Sequence, residues 1–298
     1  MKKRTYRLTQ LLHREPVFIN PYTDYGFKKL FGTEANKDLL IDFLNQFLPE
    51  NRLIEDVFFQ NVENLADIEG ERKAFFDVYC TAKTGENFIV EMQKEKFQNF
   101  KDRGLYYSTF PIQAQAKVGT WSFKLKPVYF LGILDFEYDS TQKADKKLLR
   151  KVAFYDQDGD LFSDTLNFIF IQMPYFNKTE KELKTRLDKW LYFLKNLENF
   201  DIMPEILNEP IFQKGFETAR LAAMDRDDFF SYEASRLALM EAKAFYSLAR
   251  EEGVEEGREE VAQNLLLEGL SVEFVAKTTK LPVEKVKLMA KQLGLSQS

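Results

Sequence analysis

Two rhythms of apolar residues run along this chain, and the elements change where one gives way to the other. Phe27, Leu30 and Phe31 fall at helical spacing after Pro21, with Thr23 or Asp24 in place to cap the turn. Asn36 or Lys37 through Phe47 repeats the pattern with Leu39, Leu40, Phe43 and Leu44, and Pro49 closes it. The rhythm then changes: 54–63 reads as a strand around Val57, Phe58 and Phe59, and the acidic 64–71 as a loop. Residues 74–82 and 88–92 are rich in aromatic and β-branched side chains, and the polar turn 83–87 between them predicts a hairpin. Helical spacing returns over 99–118, where Pro111 should kink or divide the helix, and 128–136 reads as a buried strand. The order so far is helix, strand, hairpin, helix, strand.

Further on, 148–155 and 168–173 read as two more strands, and 181–196, 212–224 and 227–252 as helices. Asp156-Gln157-Asp158-Gly159-Asp160 resembles the start of a calcium loop. The downstream bidentate Glu does not follow at the right offset, so a polar turn is the better reading. Near the end, Gly253 and Gly257 recur four apart, which permits close helix approach or simply weakens the helix. Three short helical units follow, at 259–268, from Ser271 and from Lys280, with the spacing of a helix-turn-helix.

The hairpin carries acid where a plain strand does not need it. Alternation places Phe75, Asp77 and Tyr79 on one face of the first strand and Phe76, Val78 and Cys80 on the other. In the second, Ile89, Glu91 and Gln93 oppose Phe88, Val90 and Met92. A carboxylate on an apolar strand is costly unless paired, hydrogen-bonded or bound to a cation. Two on adjacent strands repel, and Mg²⁺, which takes one or two carboxylates and accepts phosphate oxygens, is the usual remedy. Asp77 must then face Glu91 or Gln93, which needs an odd loop such as Thr84-Gly85-Glu86; a two-residue turn would set it opposite Met92. The competing reading is that both carboxylates only accept structural hydrogen bonds.

Composition narrows the classes. The chain has 298 residues, 45% of them hydrophobic, enough for a sizeable core. Its net charge of −5 argues against a general nucleic-acid coat. Yet residues 1–30 hold seven Lys and Arg against Glu15 and Asp24, and residues 94–126 hold seven against Glu95 and Asp102. Both basic stretches flank the hairpin in sequence. Cys80 is the single cysteine, which excludes an intrachain disulfide and a cysteine zinc site. His13 is the single histidine, which excludes a His-pair mechanism. The basic start lacks the apolar run of a signal peptide and 128–134 is too short to span a bilayer, so no membrane and a cytoplasmic location are expected.

Asp77, a turn and then Glu91-X-Gln93 resemble the PD-(D/E)XK nuclease core, in the variant with Gln in place of Lys. Thr23-Asp24-Tyr25-Gly26-Phe27-Lys28-Lys29-Leu30-Phe31-Gly32 resembles the opening motif of the Rpn family, recombination-promoting nucleases and transposase-like proteins. Arg103-Gly104-Leu105-Tyr106-Tyr107 and the strand Lys126 to Leu134 resemble the segments after the hairpin in that family. The similarity is close over 17–136 and looser beyond. It implies an α/β fold, a restriction-endonuclease-like core with a mixed central sheet flanked by helices and a helical C-terminal part. The expected organisation is a basic arm at 1–16, the core at 17–175, a helical elaboration at 176–250 and a helix-turn-helix-like tail at 251–298.

The resemblance also implies a metal-dependent endonuclease acting on DNA, linked to recombination or mobile elements. Asp77 and Glu91 would hold Mg²⁺ or Mn²⁺, and Gln93 would orient a water or phosphate without carrying charge. Lys73 or Lys94 could supply that charge. Asp24 is either an additional acid of the site or an N-cap. Lys28, Lys94, Arg103 and Tyr107 are the expected DNA contacts, with helix surface and packing as the competing reading for Arg103 and Tyr107. The alternative function is a weakly active or inactive module that retains the fold to bind DNA or protein. For the tail, homo-oligomerisation, docking and DNA contact stay open.

Overall fold

A computed structural model describes residues 16–60, 76–94, 99–116, 122–138 and 146–295. Nearly all of the basic arm, the acidic stretch 64–71 and Lys73 lie outside these residues, as do Phe75, Trp121 and the start of the first hairpin strand.

Helices α1 (Asp24–Phe31) and α2 (Lys37–Leu44) precede a short strand β1 (Val57–Phe59). The hairpin follows as β2 (Val78–Ala82) and β3 (Asn87–Gln93), then α3 (Phe100–Gln113) and β4 (Val128–Leu134). A second hairpin, β5 (Leu149–Tyr155) and β6 (Leu161–Gln172), leads to α4 (Arg186–Asn196) and α5 (Pro210–Thr218). The chain ends in α6 (Arg226–Leu267), α7 (Val272–Thr279) and α8 (Val283–Gln292). One six-stranded sheet has the order β1-β2-β3-β4-β6-β5. It is mixed: β3–β4 and β4–β6 are parallel, and the other pairs are antiparallel. The parallel step from β3 to β4 requires a crossover, and α3 supplies it. All seven residues of β4 are buried, which is why it reads as one unbroken apolar run.

Each face of the sheet has its own core. Val78, Cys80, Phe88, Val90, Leu131 and Ile133 belong to a large cluster with Phe27 and Phe31 of α1, Phe43 of α2, Trp190 of α4 and Phe212 of α5. Tyr79, Ile89, Phe130, Phe168 and Phe170 share the second cluster with Phe100 and Phe110 of α3. Gly104 lets α3 lie close on β4, since a Cβ there would stand 3.2 Å from the Phe130 ring.

Several expectations shift. Phe76 does not share a face with Val78 and Cys80; its ring packs 5.7 Å from Tyr79. Strand pairing begins only at Val78, so the pleat does not bind the residue two positions earlier. Helix α3 runs unbroken through Pro111, which sits in its last turn, and ends at Gln113. Strand β6 begins seven residues earlier than its apolar run, because Leu161–Thr165 pair with β5 alone and need no buried face. The turn 156–160 is closed by the Asp156 carboxylate, which accepts from the N–H groups of Asp158 and Asp160.

The chain divides into two compact units, 1–236 and 237–298, within α6. Helix α6 continues to Leu267 where a break before 259 was expected. Neither Gly253 nor Gly257 is a close-approach site, since a Cβ on either would find nothing within 4 Å. In the second unit, Ser271 caps α7 by accepting from the Phe274 N–H at 3.3 Å. Ala262 and Leu266 of α6, Val275 and Ala276 of α7, Leu281, and Val286 and Met289 of α8 form its own small core. Among the described residues, no helix is long and apolar enough to cross a membrane.

Candidate active site

The geometry of the site begins in a turn. The Ala82 N–H bonds to the Glu86 carbonyl at 2.8 Å, which closes a three-residue loop of Lys83, Thr84 and Gly85. Gly85 takes φ 101°, a value that side chains resist. The loop is odd, as a metal pair requires, and starts one residue earlier than Thr84. The register Val78↔Val90, Tyr79↔Ile89 and Cys80↔Phe88, continued by one residue, sets Asp77 against Glu91. A loop of 84–86 would have set it against Gln93.

The two carboxylates are held differently. Asp77 accepts a 2.7 Å hydrogen bond from the Met92 N–H through Oδ2. Glu91 is 2% exposed, on a strand flanked on both sides. Its Oε2 accepts from Gln93 Nε2 at 2.7 Å and from Arg103 Nη2 at 3.1 Å. Its Oε1 is buried and has no hydrogen-bond partner. Burial pushes the Glu91 carboxyl up to about 8, the Asp77 charge pushes the same way, and Arg103 opposes both. Burial also raises the Asp77 carboxyl, against the pull of the Met92 N–H.

Charges on neighbouring elements act on the pair. Asp24 raises the Asp77 carboxyl further, while Lys28 and Lys94 lower it. Thr23, not Asp24, is the N-cap of α1: its Oγ1 accepts from the Gly26 N–H at 3.0 Å. Asp24 therefore stands in the first turn, where its exposed carboxylate pairs with Lys28 at 2.8 Å. Arg103 faces inward to Glu91 and lies over the Tyr107 ring at 5.4 Å. Tyr107 packs edge-on against Phe76 at 5.0 Å. The sequence reading missed Asp135. It follows β4, and its N–H bonds to the Gln93 carbonyl at 2.9 Å, so it stands at the end of β3. An acid closing the apolar run of β4 was the available signal.

The donor set fits a divalent ion of the hard, oxygen-seeking kind. The Asp77 charge raises the proton affinity of Glu91, and one buried Glu91 oxygen is without a partner, which is the condition a cation relieves. Among the described residues, no group of three or more acidic, His or Cys side chains gathers elsewhere or here.

A mixed sheet flanked by helices, with one carboxylate just before its second strand and one on its third, defines an α/β nuclease-type core. Comparison with family models agrees: residues 21–248 match the one described as PD-(D/E)XK nuclease family transposase. The match spans most of the chain, including α4, α5 and the first part of α6, and the chain belongs to that family. No curated protein and no solved structure matches it.

Proposed function

We propose that this protein is a divalent-metal-dependent DNA endonuclease. The observation that carries the reading is the Asp77–Glu91 pair with its unsatisfied Oε1, built on the hairpin of a PD-(D/E)XK core.

A divalent ion bound by this pair would supply a Lewis acid and an activated water for attack on phosphorus. The protein's own residues prepare that place. The Met92 N–H fixes the Asp77 carboxylate, the Gln93 carboxamide and Arg103 fix Glu91 through Oε2, and the Asp77 backbone N–H also favours the ionised Glu91. Lys28 and Lys94 lower the Asp77 carboxyl and favour its anionic, ligating form. Gln93 carries no charge, so it orients rather than transfers a proton. Asp24 and Asp135 rim the site, and Arg103 and Tyr107 belong to its wall. The word transposase in the family description supports a place for such cleavage in recombination.

One observation favours the second reading, a module of low or no activity. The Gln93 amide already donates to Glu91, where the usual Lys would bring charge. Cleavage of plasmid and linear DNA with Mg²⁺, Mn²⁺ or EDTA, beside Asp77→Ala and Glu91→Ala, decides between them. Metal-dependent nicking that falls by a factor on the order of 10² or more in both variants supports the nuclease. Cleavage that survives both substitutions refutes the site, and DNA binding without cleavage in any metal establishes the second reading.

A further inference from the structure

The tail holds a site that the cleavage reading does not use. Within residues 237–298, a cleft of about 560 Å³ opens between one face of α6 and the turn Lys280-Leu281-Pro282 that joins α7 to α8. Arg250, Arg258 and Lys280 line it. Among the described residues, none of the three makes an ion pair or a side-chain hydrogen bond. Two carboxylates share the lining, Glu251 and Glu255. Glu255 is engaged, at 2.5 Å from the Lys285 ammonium, which Glu259 also contacts. Three cations thus share the cleft with Glu251 and with Glu255, on which Lys285 and Arg258 both act.

Spacing and backbone add to this. Arg250 and Arg258 are eight residues apart on one helix, about 12 Å along its axis at about 1.5 Å per residue. That is further than one small anion reaches and suits a run of charges. Lys280 holds φ 61°, a left-handed value that a residue with a Cβ adopts at a cost, and it brings the ammonium to the turn. The segment 271–295 carries Lys277, Lys280, Lys285, Lys287 and Lys291 against Glu273 and Glu284, five minus two, or +3, while the α6 wall over 250–260 carries Arg250 and Arg258 against six Glu.

We infer that this cleft takes successive phosphates of a DNA backbone and so anchors the tail on the substrate. The inference rests on the reading that DNA is the substrate. Guanidinium groups match phosphate oxygens as planar forks. In a helix-turn-helix unit the first helix crosses the DNA backbone while the second enters the major groove, which favours nucleic acid over an acidic peptide as occupant beside the turn.

The test is fluorescence anisotropy of a labelled DNA duplex with the full chain in EDTA, where no cleavage occurs. The double variant Arg250→Gln/Arg258→Gln should weaken binding about tenfold or more and flatten the log affinity against log salt slope by about two. Lys280→Gly removes the third cation and relieves the positive φ. It should weaken binding about threefold while the melting temperature holds or rises, which excludes unfolding as the cause. Wild type that does not bind, or variants that bind with unchanged affinity and slope, overturn the inference. Polyglutamate that binds wild type and is lost from the variants, with DNA binding intact, makes the occupant an acidic protein and also overturns it. The two readings fail separately. Cleft-dependent binding with no cleavage in any metal sinks the nuclease alone; metal-dependent cleavage with unaltered binding by the variants sinks the anchor alone.

Discussion

Replacing Glu91 with Gln should stabilise the metal-free protein at pH 8 and leave it little changed at pH 5. The Glu91 carboxyl is held near 8, against an ordinary value of 4.5, first by burial and then by the Asp77 charge. A raised folded-state value means that the folded protein binds the proton more tightly than the unfolded chain does. The stability this provides is complete below about 4.5 and is lost as pH rises through about 8. At about 1.36 kcal/mol per pH unit, ionising Glu91 in place opposes folding by on the order of 4 kcal/mol. The amide is neutral and nearly isosteric, but Arg103 and Gln93 lose a charged acceptor, so the expected gain at pH 8 is about 2 kcal/mol. For a unit of this size that is a rise of roughly 4–8 °C. Thermal melts followed by circular dichroism in EDTA, at both pH values, measure it. Saturating Mg²⁺ should then reverse the order, since an ion at about 100 times its dissociation constant adds about 2.7 kcal/mol to wild type alone. If Glu91→Gln costs the same stability at both pH values, Glu91 is a satisfied structural acceptor and the metal assignment falls.

Asp24→Asn should reduce cleavage and leave the melting temperature within about 1 °C, because the cap is Thr23 and surface changes away from special features are small. Thr23→Ala should do the reverse, costing about 1 kcal/mol by denaturant melts with the chemistry retained; a matching loss of stability in Asp24→Asn would return Asp24 to the cap. Cys80 is fully buried and its thiol is pushed up to about 12 by burial, so it should resist iodoacetamide at pH 8 and react once the chain is unfolded in guanidinium. Arg103→Met should remove the cation that, among the described residues, bonds to Glu91, and metal-free protein should lose stability at pH 8 more than at pH 5, read by the same melts.

The candidate site residues were legible in the sequence because their types are wrong for their places. Asp77 and Glu91 stand out against the apolar runs of two strands, and period-2 alternation alone puts Glu91 and Gln93 on one face. The helices α1, α2 and α4 were legible for the same reason, since each must bury one stripe, and β4 announced itself by burying both faces. Local rules could also state what the hairpin had to satisfy, an odd loop, but not which one. That choice depends on where Gly85 can take its positive φ while both strands keep their faces buried, and it decides that Asp77 meets Glu91 rather than Gln93. Likewise Thr23 and Asp24 are equal candidates for a cap until the chain's approach from Asn20 sets Thr23 in the extended conformation. Other features exist only between elements. Arg103 turns inward because a buried, half-satisfied carboxylate lies across from α3, a partner twelve residues away that no periodicity records. Asp135 joins the site because β4 lies parallel to β3 and their ends coincide. Sequence patterns report what each segment must bury; which charges then face one another is settled by strand order and register, because electrostatic partners are chosen by distance in space.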